Sequence, residues 1–131
     1  MRKCAVLIGD APKDFRQTKI EDMMDFLETK EGGEVKAGDS IVFPNGVSEL
    51  MLETILNGIM DSKPDHLFIY FCTREPVRSG EEVIWCGGEE IRKDVIAHYQ
   101  NLAEKDDINL QIIYDVQHDY VSDEELGYEK V

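Results

Sequence analysis

The segment over residues 66–72, His-Leu-Phe-Ile-Tyr-Phe-Cys, constrains the chain more than any other. It is the most hydrophobic and aromatic stretch present, and it shows no polar alternation. A continuous apolar run of this length between turn residues fits a strand covered on both faces. Lys63-Pro64-Asp65 precedes it, and residues 73–80, rich in charge, Pro and Gly, follow it. The run is therefore predicted to be the central strand of a sheet.

Strands buried on both faces belong to parallel sheets, whose crossovers are helices. Three further β-prone runs qualify: residues 4–8, breaking at Gly9-Asp10 and Ala11-Pro12; residues 40–43, closing at Pro44-Asn45-Gly46; and residues 110–114, ending at Asp115. Between them apolar residues recur at helical spacing. Ile20, Met23, Met24 and Leu27 predict a helix over residues 18–30, opened by a capping box of Thr18 with Glu21 and stopped by Gly32-Gly33. Leu52, Ile55, Leu56, Ile59 and Met60 predict a second helix with Ser48 as its cap. Ile91, Val95, Tyr99 and Leu102 predict a third, broken at Lys105-Asp106-Asp107. Residues 82–86 read as a small β element ended by Gly87-Gly88. The order predicts an α/β three-layer sandwich with a mostly parallel sheet and right-handed crossovers. One domain over residues 1–118 holds these elements, and residues 119–131 form an acidic tail of little periodicity.

A length of 131 residues at 42% hydrophobic content allows one modest core. The 28 acidic residues against 14 basic ones give a net charge of -14, which repels phosphate backbones and anionic lipid. Nucleic acid and membrane are therefore not expected partners. Cys4, Cys72 and Cys86 lack the spacing of a zinc site or disulfide framework, and the apolar run after Met1-Arg2-Lys3 is too short for a signal peptide or a membrane span. A cytoplasmic protein is expected. With no Gly-rich phosphate loop followed by Lys-Ser/Thr, no Ser elbow and no His-rich cluster, neither cofactor nor metal is expected.

Sites in parallel α/β sheets lie at the carboxyl ends of the strands. That rule selects Gly9 and Asp10, then Cys72, Thr73, Arg74 and Glu75, then Asp115, Gln117 and His118 as the lining of a cleft. Cys72 facing His118 would make a thiol–imidazole dyad, whereas the plainer expectation is a buried Cys72 and a solvated His118. Cys86, just ahead of the third helix, is a second candidate thiol. Asp10, Asp115 and Asp119 would offer oxygen ligands to a hard cation if they converged, although no phosphoacceptor Asp ends the third strand. His66, opening a strand, and His98, on a helix beside Tyr99, read as structural.

In order and spacing, these segments resemble the large-subunit half of the caspase and metacaspase superfamily. In that family the first strand ends in Ile-Gly, the third in Tyr-Phe-Ser-Gly-His-Gly and the fourth in Asp-Ala-Cys. Here the corresponding residues are Leu7-Ile8-Gly9, Tyr70-Phe71-Cys72-Thr73-Arg74-Glu75 and Asp115-Val116-Gln117, within a likeness covering residues 3–118. The resemblance implies a caspase-like sheet in which Arg74 replaces the catalytic His and Gln117 the nucleophilic Cys. A guanidinium stays protonated and cannot act as a general base, and a carboxamide is no thiolate. It thus implies a catalytically inactive domain, a pseudo-enzyme that works by binding a protein partner or by oligomerising. The alternatives are a small cysteine-dependent hydrolase using Cys72 with His118, or Cys86, and a receiver- or flavodoxin-like acidic adaptor. In the caspase family further strands cover the side occupied here by residues 110–114. Running from Leu110 to Tyr114 without Lys, Arg or Pro, this stretch is expected to be an edge covered either by residues 119–131 turning back, through Tyr120 and Val121, or by another chain; the acidity and low β-propensity of that tail favour a partner strand or a second copy.

Overall fold

Each apolar run finds another beside it. The computed structural model describes residues 2–9, 13–43, 46–73, 83–86 and 89–116. In chain order the elements are β1 (Lys3–Gly9), α1 (Lys13–Glu28), β2 (Ser40–Phe43), α2 (Glu49–Asp61), β3 (His66–Thr73), β4 (Val83–Cys86), β5 (Glu89–Arg92), α3 (Lys93–Lys105) and β6 (Asn109–Val116). A single 3₁₀ turn, Ala37–Asp39, leads into β2.

The main sheet has four parallel strands in the order β2-β1-β3-β6. Helix α1 covers one face and α2 with α3 the other, making an α/β three-layer sandwich. Strand periodicity explains the two cores. Ala5, Leu7, Phe68, Tyr70 and Cys72 point to α1 and meet Ile20 and Leu27. Val6, Ile8, Leu67, Ile69 and Phe71 point the other way and meet Leu52, Leu56, Val95, Ile96 and Tyr99. Tyr99 is satisfied at depth, its hydroxyl bonding Asn57 Oδ1 at 2.7 Å and so tying α3 to α2. At the amino ends of the strands, the Arg2 amide donates to Asp65 Oδ2 at 2.7 Å and the Asn109 amide to the Asp65 carbonyl at 3.0 Å. These bonds pin the starts of β1, β3 and β6 together.

Ser48 caps α2 as its position suggests, its Oγ accepting from the Met51 amide at 3.1 Å. Ser48→Ala is expected to lower stability by about 1 kcal/mol in urea denaturation without changing the steepness of the transition.

Two boundaries differ from expectation. Helix α1 begins at Lys13 rather than residue 18, which places Thr18 inside the helix and removes the capping box. Residues 13–18 contain neither Gly nor Pro, and extending a formed helix costs far less than starting one. Its end falls close to where Gly32-Gly33 predicts. A Cβ on Gly32 would lie 1.9 Å from the Phe26 carbonyl oxygen, and Gly33 has φ +107°, so both positions require glycine. The second difference is Ile91, which belongs to β5 and not to the third helix. Antiparallel pairing of Ile84 with Ile91 and Cys86 with Glu89 makes a hairpin, and Ile91 is fully buried in the α2–α3 core. The small β element is thus two strands. Among the described residues no helix is long and apolar enough to cross a membrane.

Candidate functional site at the carboxyl ends of the strands

The register of the sheet decides which strand ends meet. Gly9 lies opposite Cys72 across β1 and β3, and Cys72 lies opposite Asp115 across β3 and β6. Thr73 pairs with Val116 one residue further on. Chain direction reverses its progress across the sheet at β1, so this row sits where a doubly wound sheet opens a crevice. Gly9, Cys72 and Asp115 therefore lie side by side across three strand ends, with Thr73 one residue beyond. Asp10, Arg74, Glu75, Gln117, His118 and Asp119 lie outside the described residues, as does the tail over residues 119–131.

One participant escaped the sequence reading. The Tyr70 hydroxyl donates to Asp115 Oδ2 at 2.7 Å, bridging β3 to β6 on the α1 face. Tyr70 precedes Cys72 by two residues, and period-2 alternation places both on that face. Strand spacing alone therefore pointed to it, once Asp115 was known to lie across from Cys72. Burial, and then the bond to Asp115, push the Tyr70 phenol well above the usual tyrosine range.

This arrangement governs the thiol. Cys72 has no exposed surface, and burial first, then the negative charge of Asp115, push its pKa up to about 11. A hydrogen bond with Tyr70 and the positive charge of Lys19 on α1 act in the opposite direction and are outweighed. At pH 7 about one molecule in ten thousand carries a thiolate here. A nucleophilic cysteine needs the reverse: access, a neighbouring cation and a depressed pKa. The local chemistry is that of a protonated, packed thiol beside a tyrosine–carboxylate bridge. Cys4 is also shifted upward, chiefly by burial. Cys86 has its backbone in β4, and its side chain lies outside the description. Among the described residues, no three His, Cys, Asp or Glu side chains are placed to hold a metal ion.

Two further features lie away from this row. Arg92 joins the β4–β5 hairpin to the start of α2, its Nη2 standing 3.0 Å from Glu49 Oε1 and its amide 2.8 Å from Oε2. Those contacts hold the Glu49 carboxyl below the usual range. At the opposite, amino end of the sheet is a groove of about 190 Å³ with Phe68, His66, Glu31, Asn109 and Gln111 in its walls. The Lys3 ammonium donates to the Gly33 carbonyl at the same place. His66 stacks on Phe68, and the exposed His98 meets Tyr99 edge-on.

Comparison with known proteins returns no match: no family model, no curated protein and no solved structure is significantly similar to this chain.

Proposed function

We propose that this chain is a catalytically inactive, caspase-like cytoplasmic domain that binds protein by pairing its edge strand β6 with another strand. The observation that carries the reading is the character of β6. It is an eight-residue strand at the end of the sheet order, paired on one side with β3, and no described strand lies on its other side. Alternate N–H and C=O groups along it therefore point away from the sheet. It contains no Lys, Arg or Pro to repel a neighbour. Ile113 and Tyr114 are 36% and 45% exposed in its carboxyl half, Tyr114 stacking on Phe71 at 5.5 Å. The opposite edge, β2, has four residues, too short to make a comparable template.

The inactive part of the reading follows from Arg74 and Gln117 standing at the catalytic positions of the resemblance, and it agrees with the protonated state of Cys72. The same facts weigh against a hydrolase using Cys72. A flavodoxin-like adaptor is the second reading, favoured by a strand order that such sheets share. It would use the same edge.

Light scattering over a concentration series measures self-association, and amide hydrogen exchange in β6 with an added β-prone peptide measures partner pairing. Ile113→Lys is expected to abolish whichever is seen while changing stability by less than about 1 kcal/mol, because the position is already partly solvated. Of prolines at Gln111 and Ile112, the one whose N–H points outward should block pairing with the fold intact, and the other, which removes a bond between β3 and β6, should lower stability instead. A protein that stays monomeric and soluble with or without residues 119–131, and whose β6 exchange no peptide alters, would defeat the reading.

A further inference from the structure

We infer that the open side of β6 accepts an extended, basic-flanked segment of a different protein in preference to a second copy of this chain. The inference rests on the edge-pairing reading and names the partner. Charge along the strand is its first ground. Ile112, Ile113 and Tyr114 form an apolar stretch, and the only ionisable group in β6 besides Tyr114 is Asp115 at its carboxyl end. At the amino end Glu104, Lys105, Asp106 and Asp107, all exposed, leave a surplus of negative charge. The strand is thus greasy in the middle and acidic at both ends.

Symmetry supplies the second ground. Two copies pairing β6 about a two-fold axis must run antiparallel, each carboxyl end beside the other's amino end. Centring on Ile113, the middle of the apolar stretch, sets Ile112 opposite Tyr114 and Asp115 of one copy opposite Gln111 of the other. What opposes this dimer is the repulsion between chains that each carry a net charge of -14. A foreign strand with Lys or Arg at its ends is attracted by the same charge.

The groove at the amino half of β6 is the third ground. Gln111 lies opposite Phe68 on the α1 face, and β6 itself forms one wall through Asn109 and Gln111. A residue of an added strand beside Gln111 points its side chain along this wall. A long cationic side chain there has the Glu31 carboxylate, the amide oxygens of Asn109 and Gln111, and the Phe68 ring as partners. The Lys3 ammonium lines the same groove and keeps its positive charge while donating to the Gly33 carbonyl, so the Glu31 carboxylate and the amide oxygens must offset it for a second cation to enter.

The test uses the full chain and two synthetic peptides of alternating valine and threonine, one flanked by lysine pairs and the other by glutamate pairs. Binding is read by calorimetry and by amide exchange of β6, at low and high salt. The lysine-flanked peptide is expected to protect β6 and to bind about tenfold more tightly than its counterpart, with the preference shrinking in high salt. Replacing Asp106 and Asp107 with Asn, which tolerates the left-handed backbone of Asp107 (φ +58°), should lower the affinity several-fold, and Ile113→Lys should remove binding. Equal protection by both peptides overturns the charge selection and leaves the edge reading intact. A dimer dispersed by Ile113→Lys makes the second copy the occupant and overturns the inference likewise. Failure of both peptides to protect β6 in a monomeric protein sinks the edge reading itself.

Discussion

At pH 7 iodoacetamide is expected to modify Cys72 in the folded protein at least about a hundredfold more slowly than in the urea-unfolded chain. Two features of the native state protect it. Raising a thiol from an ordinary 9.0 to about 11 lowers its thiolate fraction about a hundredfold, and the thiolate is the species that reacts. The side chain is also fully buried, so reagent reaches it only through local opening of the sheet end. Residue-resolved mass spectrometry is needed, because Cys4 and Cys86 label independently. Tyr70→Phe should speed the reaction, since it unfastens β6 from β3 over Cys72 by removing the bond to Asp115. Rapid labelling at pH 7 that His118→Ala slows would reverse the conclusion and restore a thiol–imidazole dyad.

The same shift makes stability depend on alkaline pH. A thiol whose folded pKa lies above its unfolded value keeps its proton in the native state while the unfolded chain gives its proton up. Below about pH 9 both states are protonated and the native preference is fully present; it is lost as pH rises from about 9 to about 11. A two-unit difference corresponds to about 3 kcal/mol lost by Cys72 across that window. Tyr70, shifted in the same direction, adds a loss of the same sign above pH 10. Urea denaturation at pH 8 and pH 10.5 measures the sum, and Cys72→Ala isolates one part. That variant is less stable at pH 8 for want of packing, but its stability should fall less between the two pH values. If the wild-type midpoint does not move between these pH values, Cys72 is not held protonated by the fold.

What was legible beforehand follows from how local each signal is. The run over residues 66–72 signals burial on both faces, and β3, lying between β1 and β6, does send alternate side chains into the two cores. Ser48 and the Gly32-Gly33 pair mark helix ends through bonds and backbone angles that span only a few residues. Thr18 and Glu21 do not mark the start of α1, because a capping box is a weak motif when uninterrupted helix formers precede it. Ile91 shares helical spacing with three later apolar residues, yet the Gly-Gly pair before it is a hairpin signal that places it in β5.

The sequence by itself determined the class of fold, the elements and most of their limits, because apolar periodicity, caps and turn residues act within a few positions of each other. It also nominated the strand ends as the place for chemistry, through a rule that depends only on parallel topology. Tertiary structure alone decided which ends touch and what they do to one another. Tyr70 and Asp115 are separated by 45 positions and meet only because β6 docks on β3 in a register that sets Cys72 opposite Asp115. That register is chosen by the packing of Leu110 and Ile112 against the α2–α3 core, a contact between distant segments. The protonated state of Cys72 follows from it.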